Sequence, residues 1–313
     1  FKLSKYEKRL KELIETGQYE IIPEKRKNEV LSFIEQGLED FSVSRSKERA
    51  KGVGVPVPGD PDQKIYVWFD ALTIYMTGVG WGYDNDLWEE YWPAELHIIG
   101  KDIIRFHAVY WPAMLLSAGL PLPKRLLVHG FITSGGRKMS KSIGNVVDPY
   151  EIIEKYGVEP TRYYLLSQIP TLDDGDFTEE RFKEVYTANL ANGLGNLVSR
   201  VAGMAEKAKL GVEKVEEKNI SNEVAEAIER FELNIALDLI WEKIKDADIL
   251  INDREVWALE EKEQKAILST LVDDIRQIAT DLKPFLPKTA EKILKTYEGP
   301  EIKSVEPLFP RIN

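Results

Sequence analysis

With 313 residues, 43% of them hydrophobic and 30% charged, the chain has the composition of a globular protein with room for two or three domains. It contains no cysteine and three scattered histidines, His97, His107 and His129, which excludes disulfides and thiolate metal sites, and it shows neither a membrane-length apolar run nor a secretory signal, so a cytoplasmic address without a membrane partner is expected. A formal net charge of −11 argues against a surface that grips nucleic acid throughout.

Apolar positions at Leu3, Tyr6, Leu10, Leu13 and Ile14 have helical spacing, and a second helix is expected around Lys25 to Gln36, stopped by Gly37. Residues 40–54 read as irregular or extended. Val55 to Pro61 reads as a loop or edge segment, because its three prolines forbid a helix. Three short β-rich runs follow: Ile65-Tyr66-Val67-Trp68-Phe69, Glu95 to Gly100, and Leu126 to Ile132. Each suits a buried strand of a parallel sheet, and the stretch from Ile103 to Ala118 is long enough for the crossover helix between the last two. Pro112 should bend that helix. Functional residues of such an α/β domain belong beyond the carboxyl ends of the strands, where Asp70, Lys101-Asp102 and the Gly135-Gly136 loop stand. From Thr178 to Leu294 the period is helical, with breaks near 211–222 and near Asn252, which predicts an antiparallel helix bundle. The Pro-rich tail from Pro300 to Asn313 should pack back as an extended strap.

Four groups of residues carry chemistry. Lys138-Met139-Ser140-Lys141-Ser142 follows a glycine pair, and the stretch from Lys124 to Lys141 holds five cations and no acid. A flexible loop of this kind can bring cations onto a polyphosphate as charge builds up in phosphoryl or nucleotidyl transfer, and lysine suits a mobile point charge. The bland alternative is a solvated basic loop. Trp68 and Asp70 share one face if their segment is a strand, so Trp68 beside the small Ala71 is either a pocket wall or core. Ile103, His107 and Trp111 lie at i, i+4 and i+8 of a helix, either a ligand face or a satisfied core stack. Gly100 permits close approach to a ligand, and Asp102 suits both ribose hydroxyls and a plain N-cap. In the helical region Asn192, Asn196 and Arg200 recur every four residues, and Trp257 stands between helices. Such groups read or stack on unpaired bases, or form a solvated face with a packed indole.

The lysine loop resembles the signature loop of class I aminoacyl-tRNA synthetases. The wider set resembles the methionyl-tRNA synthetase family of that class: Tyr66 to Leu72, Gly100 to His107, Tyr110 to Leu115, His129-Gly130-Phe131, Gly144 to Pro149, Arg162 to Leu165 and Lys283 to Pro287. The resemblance implies an α/β fold class, the second half of a Rossmann-like nucleotide-binding domain followed by an all-α anticodon-binding bundle. Residues 1–60 would end a connective insertion, 61–170 would form the catalytic half with a stem-contact segment, and 171–313 the anticodon-binding domain with its strap.

The same resemblance implies site residues. Trp68, Ala71, Leu72, Tyr75, Ile103 and His107 line a methionine side-chain pocket backed by Trp111, in keeping with the aromatic and aliphatic walls a thioether needs. Gly100, Lys101 and Asp102 hold the ATP ribose, His129, Gly130 and Ile132 border the adenine, and Lys138 and Lys141 stabilise the transferring phosphates. Asn196, Arg200 and Trp257 meet the anticodon of tRNA(Met). The implied reaction is ATP-dependent, with Mg²⁺, and transfers methionine to tRNA. The His-x-Gly-His motif, the first nucleotide-binding half and a zinc-binding Cys knuckle are not in this sequence, so an N-terminal part is expected to complete the active site, and zinc is possible only there. Two other readings stand beside this one. One is a catalytically silent tRNA-binding or assembly module that needs a separate N-terminal half. The other is a class I ligase for leucine, valine or isoleucine, although the large editing insertion usual there finds no room.

Overall fold

The structure, a computed structural model, describes residues 1–214 and 218–312. It divides into two compact units, Phe1–His129 and Gly130–Asn313.

The first unit opens with one tight turn (Leu3–Tyr6) and helix α1 (Glu7–Glu15), whose Leu10, Leu13 and Ile14 are buried. Strand β1 (Glu20–Ile22) and helix α2 (Glu24–Glu35) follow. The chain leaves α2 through Gly37, at a φ of +92° that glycine adopts without steric cost. Strands β2 (Ser44–Ser46), β3 (Pro56–Val57) and β4 (Asp60–Ile65) form an antiparallel sheet in the order β2-β4-β3. Helices α3 (Val67–Ala71), α4 (Ile74–Thr77) and α5 (Asn85–Tyr91) lead to β5 (Leu96–Gly100), helix α6 (Trp111–Ala118) and β6 (Arg125–His129). A parallel sheet of order β1-β6-β5 results. Its central strand buries Leu126, Leu127 and Val128, as a strand covered on both faces must.

Two corrections fall here. Ile65 to Phe69 is not a strand of the parallel sheet: Ile65 closes β4, and the amides of Phe69 and Asp70 donate to the Tyr66 carbonyl, starting α3. Apolar residues on both sides of a five-residue run do not separate strand from helix. In the helix Trp68 and Asp70 point to roughly opposite sides rather than one. β1 was not foreseen, because three residues carry too little pattern. The expected crossover helix exists, but it widens to a π-turn at Phe106–Tyr110, where the Trp111 amide donates to the Phe106 carbonyl. Pro112 lacks an amide proton and its ring collides with a carbonyl one turn earlier, and the wider turn accommodates it.

The second unit begins with β7 (Ile132–Ser134), which pairs antiparallel with β8 (Arg137–Lys138) and parallel with β9 (Gly175–Phe177). The run Leu126 to Ile132 is therefore two strands rather than one. The break has a steric cause: a Cβ at Gly130 would lie 2.0 Å from the Asp173 carbonyl oxygen, and the Phe131 amide donates to the Asp174 carboxylate at 2.8 Å. Helices α7 (Pro149–Tyr156) and α8 (Val158–Gln168) precede β9.

The helical remainder comprises α9 (Glu179–Val185), a wide π segment (Tyr186–Gly195), α10 (Asn196–Lys207), α11 (Asn222–Glu229), α12 (Leu233–Asp253), α13 (Glu261–Leu282) and α14 (Pro287–Thr296). One apolar core runs through it, from Ile152 to Phe309. Fully buried Asp281 accepts from Lys243, Ser221 and Gln277, so the charge is paired as burial requires. Arg276 donates to the carbonyls of Tyr297 and Glu213, both at 2.8 Å. The tail packs back: Ile302 and Phe309 are buried and the Tyr186 hydroxyl donates to the Pro310 carbonyl. Residues 215–217 of the expected break and the final residue of the tail lie outside the described residues.

Candidate active site and RNA-binding face

In the first unit, aromatic rings gather around His107. Trp68 stacks on Phe106 at 4.1 Å between centroids and meets the His107 ring edge-on at 6.3 Å. Tyr75 lies 5.6 Å from His107 and 6.1 Å from Trp111. The imidazole is held at both nitrogens. Nδ1 lies 3.1 Å from the Ile103 carbonyl oxygen, which can only accept, so Nδ1 carries the proton. Nε2 then accepts from the Tyr75 hydroxyl at 2.8 Å. Burial lowers the pKa of His107, with the Ile103 carbonyl opposing, and the ring is neutral near pH 7. The Tyr19 hydroxyl donates to the His107 carbonyl at 2.7 Å and pins the π-turn. The result is an aromatic niche with a neutral, singly oriented tautomer. Leu72 and Trp111 sit in the core behind it, while Ala71 is exposed and Ile103 half-buried.

The ends of β5 and β6 place a second group in the same unit. Gly100 and His129 are register partners. A Cβ at Gly100 would lie 2.9 Å from the Asp102 carboxylate and 3.7 Å from the His129 ring, so glycine leaves a corner faced by a carboxylate and an imidazole. Asp102 is exposed and is not an N-cap: Gly100 occupies that place, with no side-chain cap bond. Lys101 stands beside it. The position, beyond the carboxyl ends of parallel strands, is where open α/β sheets bind ligands.

In the second unit the glycine pair is the turn of a hairpin. Gly135 and Gly136 have φ of +61° and +72°, the geometry of a two-residue hairpin turn. Asp176 on β9 accepts from the Thr133 hydroxyl at 2.6 Å and the Gly136 amide at 2.8 Å. Lys138 lies on β8 with Nζ 4.6 Å above the Phe131 ring, and Lys141 is exposed in the following turn. Asn145 organises that turn: its side-chain oxygen accepts from the Ser140 amide at 2.9 Å and its Nδ2 donates to the carbonyls of Arg137, Lys138 and Ser134. Neither lysine has a carboxylate partner among the described residues. Ile132 is exposed on β7, and Gly130 is buried against Asp173.

On the helical bundle the structure joins Arg200 and Trp257. The guanidinium lies 5.8 Å over the indole, donates to Asn252 at 3.0 Å and pairs with Asp248 at 3.5 Å. Burial raises the Asp248 pKa, and Arg200 partly offsets this. Trp257 is 53% exposed. Asn196 is exposed one turn before Arg200 on α10 and is not drawn into this group, and Asn192 belongs to the π segment, which shifts it off the four-residue repeat.

Comparison with known proteins accounts for the pattern. The family model described as tRNA synthetases class I (M) matches residues 1–202. The chain belongs to this family. Among class I (M) relatives, the methionine–tRNA ligase of Clostridium acetobutylicum is 43% identical over all of this chain and 54% of its own length, and that of Bacillus subtilis 39% identical over all of this chain and 53% of its own. The chain spans about half the length of these relatives. A Mycobacterium tuberculosis methionyl-tRNA synthetase in complex with methionyl-adenylate superposes with a TM-score of 0.88 at 36% identity, covering 99% of this chain and 68% of that one. The fold is that of class I tRNA synthetases, mixed α/β with a parallel sheet and a helical portion. No helix among the described residues is long and apolar enough to cross a membrane.

Sequence reasoning missed several members of these sites. Phe106 and His97 carry no signal apart from their neighbours. The organising role of Asn145 is foreshadowed only by its place between Gly144 and the Asp148-Pro149 helix start. Asp176 and Asn252 act through hydrogen bonds over 40 and 52 positions, which no local pattern reveals.

Proposed function

We propose that the chain carries the methionine-selecting and phosphate-stabilising residues of a methionine–tRNA ligase, which activates methionine with ATP to methionyl-adenylate and transfers it to the 3'-terminal adenosine of tRNA(Met). The observation that carries this reading is the niche of Trp68, Phe106, Tyr75 and neutral His107, apolar and polarizable enough for a thioether. The names of the relatives and the methionyl-adenylate in the mycobacterial structure support it.

In the first step a methionine carboxylate oxygen attacks the α-phosphorus of ATP in line, the bond to the β-phosphate oxygen breaks and pyrophosphate leaves. Lys138 and Lys141, unpaired with carboxylates, meet the charge that builds on the phosphates. In the first unit, Gly100, Lys101 and Asp102 receive the ribose and His129 borders the adenine. In the second, Gly130 and Ile132 serve the adenine. In the second step the ribose hydroxyl of tRNA attacks the acyl carbon and AMP leaves. No side chain acts as a nucleophile, so catalysis is positioning and charge stabilisation. Mg²⁺ is read as accompanying the nucleotide. Among the described residues no three His, Asp or Glu side chains gather to hold a metal, and no step is assigned to the ion. Asn196, Arg200 and Trp257 read the anticodon, with Trp257 stacking on a base. Residues 1–60, 61–170 and 171–313 act as return segment, catalytic half and anticodon-binding domain. A cytoplasmic setting, where ATP and tRNA meet, completes the reading.

The test is ATP–pyrophosphate exchange by the full-length protein with each amino acid in turn. Exchange driven by methionine alone is expected. Exchange driven equally by leucine, isoleucine or valine contradicts the proposal.

A further inference from the structure

One buried group of the first unit has no part in the reaction described above. His97 lies on β5, on the face opposite exposed Ile98, and is only 6% exposed. Its Nδ1 is buried without a hydrogen-bond partner. Leaving such a nitrogen unpaired costs on the order of 1–3 kcal/mol, a cost that leucine at the same place would avoid. What the imidazole does have is ring contact. Its closest ring neighbour is Tyr75, at 4.4 Å between centroids and 34° between planes, with Trp92 at 6.3 Å and His107 at 6.5 Å.

Tyr75 needs such support. It stands on α4, a helix of four residues without a side-chain cap, and one turn of helix has little stability of its own. Among the described residues its hydroxyl bond to His107 Nε2 is the single polar tether of its side chain. His97, in contrast, sits in a ladder: it is the register partner of Leu126 on the central strand. A flat ring on a rigid strand thus lies against the face of a ring on a short helix, and that second ring decides whether His107 presents a covered or a bare Nε2 to the niche.

We infer that His97 is a positioning residue for amino-acid selection: through face contact it holds Tyr75 where its hydroxyl covers His107 Nε2, and so sets the shape and polarity of the niche. This rests on reading the niche as the methionine pocket.

The test is methionine-dependent ATP–pyrophosphate exchange by the full-length protein in His97→Leu, Tyr75→Leu, the double variant and Trp68→Ala. Positioning through Tyr75 predicts that His97→Leu raises the methionine KM about tenfold, leaves the ATP KM and kcat within about twofold, and adds less than about twofold in the Tyr75→Leu background. An unchanged methionine KM in His97→Leu beside a raised one in Trp68→Ala overturns the positioning role. So does a fall in kcat alone, or an undiminished His97→Leu effect in the Tyr75→Leu background. An unchanged methionine KM in Trp68→Ala overturns the underlying reading of the niche instead. Should His97→Leu fail to fold by circular dichroism, His97→Gln, which also lacks the ring, is judged by the same outcomes.

Discussion

The niche around His107 is held by ring faces and by hydrogen bonds that use both imidazole nitrogens, whereas Lys138 on the hairpin and Lys141 in the turn after it stand exposed, with the main chain held by Asn145 and Asp176. The first arrangement fixes side chains and excludes charge. The second fixes the main chain and leaves charged side chains unpaired. The difference follows from what each region must bind. An apolar side chain is recognised by apolar and aromatic walls with few polar groups. A phosphate whose charge changes during reaction is served by cations not already neutralised by a protein carboxylate, which would cancel them in advance.

Perturbing the two regions should therefore give different signatures. The largest effect belongs to the hairpin. Lys141→Ala in the full-length protein should slow adenylate formation by about 100- to 1,000-fold while leaving tRNA affinity nearly unchanged, as rapid-quench kinetics and filter binding would report.

Acid should weaken the niche. His97 is pushed down to about 4 from its ordinary 6.5, first by burial and then by His107. Between those pH values the unfolded chain binds a proton that the folded chain refuses, so stability is complete above about pH 6.5 and is lost as pH falls toward 4. The loss is about 3 kcal/mol at most. His107 is shifted the same way. Denaturant unfolding at pH 7 and pH 4.5 measures it, and His97→Leu should flatten the profile. An equal slope in wild type and variant would show that the ring is not buried in its neutral form.

Smaller effects sharpen the contrast. Trp257→Ala removes the exposed indole that Arg200 covers, and should weaken tRNA binding by about 1–3 kcal/mol without changing pyrophosphate exchange. Asn145→Ala removes the acceptor of the Ser140 amide and the donor to three carbonyls, and should lower kcat for exchange about tenfold with the methionine KM unmoved. A raised KM there would mean that the hairpin also shapes amino-acid recognition.

Much of this was legible in the chain. Helical spacing located α1 and α2, β-rich runs located β5 and β6, and the long helical tract located the bundle, because each is long or strongly patterned. The lysine motif and the Trp68 and His107 segments pointed to the family. What escaped depended on distant partners. Five apolar residues from Ile65 to Phe69 look alike as strand or helix until β4 claims the first of them. The split at Gly130 comes from backbone 43 positions away, and the hairpin is tied by Asp176, 40 positions from Gly136. His97, within a strand that was foreseen, gave no sign that its ring would lie on Tyr75.

The most direct test sets Trp68→Ala beside Lys141→Ala in steady-state methionine-dependent ATP–pyrophosphate exchange by the full-length protein. If the niche selects and the hairpin stabilises charge, Trp68→Ala raises the methionine KM with a smaller change in kcat, and Lys141→Ala lowers kcat with methionine KM nearly constant. The reverse pattern, or the same pattern in both, would contradict the division of labour proposed for the two regions.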